Sequence, residues 1–251
     1  MKTTLTVLII ITLTIGQLSC SDGDNSSIGG NNGVAPICLP TEISTPYERF
    51  VYSYNNQDRV VEKQVYYGET KRYQLTFTYS TNFIEILEKN ESDNSPAVKK
   101  HLIKFNSDGN PTEQLHLPSN LVKRKFVYNG KQLSYYIDNE DIFDISARDS
   151  CAVKWDTQGN NIIEETRYDY NKNENKFIFN RTVLVSSDDK SNPFFKNWGA
   201  NSYEGPDISP YEHLCKNNVL KYGSEIISYT YTTKNYPLQQ SGVKIFEYQC
   251  K

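Results

Sequence analysis

Histidine is almost missing from this sequence. His101, His116 and His213 are the only three in 251 residues, with no H-E-x-x-H arrangement and no cysteine pair at zinc spacing beside them. A zinc catalyst is therefore excluded, and no metal site or cofactor is expected. The chain also lacks a G-x-S-x-G elbow, a P-loop and a G-x-G-x-x-G turn, so the serine-hydrolase, nucleotidase and dinucleotide readings have no starting point. Lys+Arg 27 against Asp+Glu 30 gives a net charge of -3, which leaves no basic field to gather nucleic acid. Long hydrophobic runs are missing too. The longest, Leu5 to Ile15, is broken by threonines and too short to span a bilayer. No catalytic residue can be assigned, and the chain is expected not to be an enzyme. The one alternative is a carboxylate-dependent hydrolase of extracellular polymer, because paired carboxylates need no fixed spacing in sequence.

That short apolar run follows Lys2, the arrangement of a secretory signal. Directly after it, Gly16-Gln17-Leu18-Ser19-Cys20 resembles a bacterial lipobox, with Gln17 where that motif prefers leucine. The resemblance implies that residues 1–19 are a lipoprotein signal peptide and that Cys20 is lipidated and becomes the new N-terminus. Ser21 to Gly33 has almost no apolar surface to offset the entropy of ordering it, so residues 20–35 are expected to be a flexible tether with a reach on the order of 20 Å. The acidic step after Cys20 resembles the export signal of surface lipoproteins in Bacteroidota. It implies an outer-membrane lipoprotein on the periplasmic or cell-surface face, its lipid anchor in the membrane.

Four cysteines remain in an oxidising compartment. Cys38, Cys151, Cys215 and Cys250 form an even set, so two disulfides with three possible connectivities are expected. In extended chain Cys151 shares a face with Val153 and Trp155, and Cys250 with Phe246 and Tyr248, which points both into a core. His213, two residues before Cys215, is the only sequence-local base that a reactive thiol would have.

Tyr 19 and Phe 11 favour strands. Tyr73 to Tyr79 alternates without error and places Tyr73, Leu75, Phe77 and Tyr79 on one face. Similar runs occur at 50–54, 98–105, 125–128, 151–155, 177–185, 225–231 and 243–250. Only 209–217, with Pro210 in a first-turn position, suits a short helix. The turns between runs are alike. Ile103-Lys104-Phe105-Asn106-Ser107-Asp108-Gly109-Asn110 and Val153-Lys154-Trp155-Asp156-Thr157-Gln158-Gly159-Asn160 share one pattern, with weaker copies at 52–59, 126–130, 183–193 and 229–237. Asn and Asp fold onto the local backbone and Gly supplies positive φ, the chemistry of a hairpin. The pattern resembles degenerate YD-type (Rhs-like) repeats, as in Bacteroidota lipoproteins of unknown function. Insertions at 88–96, 138–149 and 196–210 make the spacing irregular. The expected fold is all-β, a curved antiparallel meander of repeated hairpins with at most one short helix, in a single domain over 36–251.

Trp198, with Tyr203 or Tyr211, is the candidate aromatic platform for a sugar ring, since the segment around it contains Gly and Pro and interrupts the repeats. Trp155, at a repeated position, is expected in the core. Asp138 to Asp144 is the densest acidic stretch but lacks the ligand alternation of a calcium loop, and Lys123-Arg124-Lys125 reads as a charged strand face. Together these features describe a membrane-anchored binding or scaffolding module of the cell envelope, with a glycan or envelope protein as partner and no nucleic acid. Replacing Cys20→Ala should abolish labelling by a fatty-acid probe and release the protein from membranes. Labelling that persists in the variant refutes the lipobox reading.

Overall fold

The computed structural model describes residues 37–91, 96–117, 119–139, 148–201 and 209–251. Cys20, the signal and tether segments, Tyr203 and residues 140–144 of the acidic stretch lie outside them. A compact unit spans Pro36–Lys251.

The unit is antiparallel β throughout. Its strands are β1 (Cys38–Ser44), β2 (Glu48–Tyr54), β3 (Val60–Tyr67), β4 (Thr70–Tyr79), β5 (Phe83–Asn90), β6 (Val98–Phe105), β7 (Pro111–His116), β8 (Leu121–Asn129) and β9 (Gln132–Asn139). They continue as β10 (Arg148–Trp155), β11 (Ile162–Asn171), β12 (Lys176–Ser191), β13 (Asn217–Tyr222), β14 (Glu225–Ile226), β15 (Tyr229–Tyr231), β16 (Pro237–Gln240) and β17 (Lys244–Cys250). The single helix α1 (Pro210–His213) has Ser209 as its N-cap and Pro210 in its first turn, as the sequence suggests.

From β2 to β14 each strand pairs with the next, and β15, β16 and β17 do the same. Two features join the ends of this meander. β1 pairs with both β2 and β17. β14 and β15 lie on one extended stretch, where Ile227 N donates to Leu220 O on one edge and Ser228 O accepts from Ser241 N on the other. The circuit of hydrogen bonds therefore returns to its starting strand, and the expected curved meander is a closed one.

The recurring turn is visible as one hydrogen-bond pattern in four places. Asn106 Oδ1 accepts from the amides of Asp108 (3.0 Å) and Asn110 (3.0 Å), and Asp156 Oδ1 from those of Gln158 (3.1 Å) and Asn160 (2.9 Å). Asn55 Oδ1 does the same for Gln57 and Arg59, and Thr232 Oγ1 for Lys234 and Tyr236. The fourth residue of each turn is left-handed: Asp58 (φ 60), Gly109 (φ 74), Gly159 (φ 70) and Asn235 (φ 63). Asn106 follows Asn55 by 51 residues, Asp156 follows Asn106 by 50, and Thr232 follows Asp156 by 76. The long segment 192–216 between β12 and β13 accounts for the excess. The spacing is thus regular, a four-strand unit repeated four times with one insertion, and β1 completes the last unit from the other end of the chain. Two expected copies are not of this kind. Residues 186–190 run inside β12, and 126–130 ends in a two-residue turn at Gly130-Lys131.

Alternation along the strands fixes the two faces. Phe50, Val65, Leu75, Ile84, Ile86, Ile103, Leu133 and Phe246 are buried in one core cluster, with Tyr54, Phe105 and Trp155 packed against it. The opposite face carries cross-strand charge pairs such as Lys99–Glu85 (2.6 Å), Lys100–Glu88 (3.3 Å) and Lys104–Glu113 (3.0 Å). The outer face is mixed, because beside these pairs it exposes Leu184, Ile226, Leu238 and Ile245.

Of the two expected disulfides the structure closes one. Cys38 and Cys250 are direct cross-strand partners and are bonded, with Cα atoms 4.1 Å apart. Cys250 sits exposed at the end of its strand rather than in the core, because the last turn of alternation falls at the rim. Cys151 and Cys215 are buried free thiols on separate elements. The bridge staples the two chain ends, 212 residues apart, and the chain-entropy model gives such a loop about 5 kcal/mol as an upper figure. Cys38→Ser should lower the unfolding free energy by roughly 2–5 kcal/mol in denaturant titration. Mass analysis of the native protein should find one bridge and two thiols that alkylate only after unfolding. A 151–215 bridge would contradict this arrangement.

Candidate binding cavities beside the interior segment

The described parts of the insertion, 192–201 and 209–216, pack within the closed sheet, and several of their polar groups are bonded there. Asn192 Nδ2 donates to Glu212 O (2.7 Å) and Cys215 O (2.8 Å) while its Oδ1 accepts from Phe194 N (2.9 Å), tying the outgoing leg to the returning one. Gly199 lies so close to β3 that a Cβ there would come within 2.8 Å of Val60 Cβ, so the approach requires glycine. Next to it Asn201 accepts from Lys63 Nζ at 2.5 Å through its side chain, and from Tyr52 Oη through its carbonyl. Lys63 is fully buried and its ammonium lies 4.6 Å from the centre of the Phe50 ring. Phe194 packs on Phe246, and Trp198 stacks on His213 (5.8 Å, 20° between planes) and tilts against Phe105 (5.6 Å).

His213 bonds Ala200 O through Nε2 (2.9 Å) and the Ser209 backbone through Nδ1 (3.0 Å). Burial holds its imidazole below the ordinary value. Cys215 Sγ accepts from Ile162 N (3.4 Å), and burial pushes its thiol up to about 12. The sequence-local pairing of His213 with Cys215 therefore makes no reactive thiolate. Both residues fasten the insertion.

A second fastening sits on the opposite flank. Glu165, with a fully buried side chain, accepts from Tyr136 Oη (2.8 Å), Tyr222 Oη (2.7 Å), Arg167 Nε (2.5 Å) and Tyr211 Oη. Arg167 also donates to Tyr222 Oη (2.7 Å). Burial alone raises the Glu165 pKa, but hydrogen bonds from Tyr211, Tyr222 and Arg167 and the Arg167 charge outweigh it and leave the carboxyl below its ordinary value. Burial and then the Glu165 charge raise Tyr136 and Tyr211, and Tyr222 is pushed up to about 12. Glu165 thus holds three tyrosines protonated and ties α1 to β9, β11 and β13.

On either side of the insertion the packing leaves a cavity open to solvent. Because strands alternate in direction, the four recurring turns and both legs of the insertion share one end of the sheet. A cavity of about 680 Å³ lies at that end, lined by Arg59, Tyr79, Phe105, Phe195, Lys196 and Trp198 among others. One of about 450 Å³ lies toward the other end, lined by Arg124, Tyr136, Asp138, Arg167, Tyr211 and Tyr222 among others. Trp198 and Tyr211 therefore belong to different cavities and form no common platform. Trp198 stacks on His213 and tilts against Phe105 while still lining its cavity, and Tyr211 spends its hydroxyl on Glu165. Trp155 is half-buried, with Nε1 bonded to Leu133 O (2.8 Å). No cluster of three or more potential metal ligands occurs among the described residues.

Periodicity alone could have flagged Lys63, which shares the inward phase of Val65. It could not flag Glu165. Between Ile162 and Glu164 the β10–β11 register slips by one residue, and that bulge turns Glu165 inward.

No protein-family model matches the chain, and no curated protein matches it. Among solved structures it is similar to a porin-like protein from Bacteroides uniformis ATCC 8492, with 12% identity, TM-score 0.42 and 86% of this chain and 94% of that one covered. It is also similar to a protein of unknown function from Bacteroides fragilis NCTC 9343, with 12% identity, TM-score 0.26 and coverage of 55% and 91%.

The folded pKa of Glu165 lies below its unfolded one, so its contribution is complete above the unfolded pKa and is lost as pH falls through the folded one. Unfolding free energy should fall as pH drops from about 5 toward 3. Glu165→Gln should cost about 3 kcal/mol at pH 7, the scale for breaking a buried pair, and flatten that acid slope. An unchanged slope in the variant would remove Glu165 as its source.

Proposed function

We propose that this protein is an exported, lipid-anchored module of the cell envelope that binds a small ligand in a cavity beside its interior segment. One observation carries the reading: the insertion fills the closed sheet but leaves solvent-open cavities of about 680 and 450 Å³ at its flanks, within the range of small-ligand sites. A purely structural wall needs neither. Pinning of the segment from both flanks, by Lys63 and by Glu165, gives those cavities fixed walls, which is what keeps the ordering cost of binding low. The lipobox-like stretch ending at Cys20 and the polar run after it support an anchored module at the outer membrane.

Binding fits the geometry better than hydrolysis. A general acid for glycoside cleavage needs a raised carboxyl pKa. Glu165, whose partners Tyr136, Arg167, Tyr211 and Tyr222 line the smaller cavity, has the opposite shift, and four donors occupy it.

The test is an NMR titration of the full-length protein in detergent micelles with a fragment set of mono- to trisaccharides and short peptides. Shifts confined to residues of one cavity are the expected result, with no new reducing ends released from polysaccharide. Absence of saturable binding in either cavity at millimolar concentration would overturn the proposal.

A further inference from the structure

The cavity at the turn end gathers cations around one concavity. Arg59, Lys196 and Lys216 line it, and its one carboxylate, Asp58, is already paired with Lys251. Several cations elsewhere on the wall stand opposite carboxylates, as in Lys99–Glu85, Lys104–Glu113 and Arg124–Asp138. Arg59, Lys196 and Lys216 have no carboxylate partner among the described residues. Arg59 lies over the Tyr79 ring (5.3 Å) and Lys196 over Phe195 (5.4 Å). Three uncompensated cations around one concavity attract anions into it.

Lys196 adds an independent observation. Its backbone is left-handed (φ 55), a conformation that glycine or asparagine holds at less cost. The turn uses only its amide, which donates to His213 O (2.9 Å), so nothing in the local fold calls for a lysine. A strained residue kept at a cavity mouth, with its charge directed at no protein acid, points to a ligand.

The remaining walls define the rest of that ligand. Trp198 stacks one face on His213 and meets Phe105 at a tilt, so its indole is largely engaged within the protein. Ser80, Thr81, Gln57 and Asn197 bring hydroxyls and amides, and Phe195 offers an exposed ring edge. From this we infer that the cavity binds a saccharide carrying an oxyanion on its ring, whether uronate, sulfate ester or phosphate ester. The inference rests on the binding reading above and names the chemical class of its ligand.

Calorimetric titration of the full-length protein tests it. The probes are trigalacturonate, its neutral methyl ester, a sulfated trisaccharide, a sugar phosphate, inorganic sulfate and a nucleoside monophosphate. At least one acidic saccharide should bind, at least tenfold tighter than the neutral ester and than inorganic sulfate, and more weakly as NaCl rises. Lys196→Gly should weaken that binding about tenfold without lowering Tm, since glycine suits the backbone there, and Arg59→Gln should do likewise. Equal binding of the neutral ester would overturn the anionic class and leave the binding reading standing. Equal binding of sulfate or of the nucleotide would overturn the saccharide. An unaffected Lys196→Gly would place the site elsewhere. No binding by any saccharide would overturn both proposals.

Discussion

A closed sheet of this many strands encloses more space than its own side chains can fill, and everything else in the molecule answers to that constraint. Small barrels of about eight strands fill themselves, whereas about sixteen leave an open channel. Here β14 and β15 act as one strand, so the circuit is of the larger kind. Water in such a channel would forfeit the burial that drives folding. The segment 192–216 supplies the missing volume with Phe194, Trp198, Ala200 and Leu214, all packed against the wall's core cluster. A segment of backbone inside a protein must have its polar groups bonded. That requirement explains why buried charges occur in an otherwise apolar interior: Lys63 meets Asn201, and Glu165 meets Tyr211, each joining wall to filler.

Repetition and closure follow from the same geometry. Four copies of one turn, each built on a side-chain oxygen that accepts two backbone amides, set four similar units around the circuit. A ring assembled from a linear chain has to join its two ends, and β1 does so by entering between β2 and β17. The Cys38–Cys250 bridge then lies where the ring is weakest, the one seam between strands distant in sequence, and holds it covalently.

These features were legible in the sequence to different degrees, for physical reasons. Period-two runs and Asx-Gly turns are local, so the strands and the hairpin turns at 106–110 and 156–160 could be read directly. Residues 186–190 have turn composition, yet they lie within β12 as an irregularity between the paired residues Ser187 and Ser191, where the Asp188 carboxylate accepts from Asn218 N. The copies at 55 and 232 read as weaker ones, with Asp58 and Asn235 where the clearer copies have glycine, and the insertion masks the period between the last two. Closure itself is invisible locally, since it depends on pairing between the two ends of the chain. Of the expected aromatics, Trp198 and Tyr211 line different cavities, because the described parts of a loop whose composition reads as exposed pack inside the ring, and Tyr203 lies outside the described residues.

The position of the cavities follows from where the repeat is broken. A ring of four like units filled by four like insertions would be symmetric and could present equivalent sites. With a single insertion the filler is asymmetric, and its two flanks differ in chemistry. On one flank tyrosines converge on Glu165 and satisfy one another, so that cavity is a by-product of a clamp. On the other, the segment leaves β12 through the strained turn at Lys196, and the charges it carries there meet no acid of the wall. Stability can account for the first arrangement, because Glu165, Arg167 and the three tyrosines bond one another. It cannot account for the second, since gathering like charges without partners opposes folding, and that difference separates the part of the insertion that fills the ring from the part that faces a ligand.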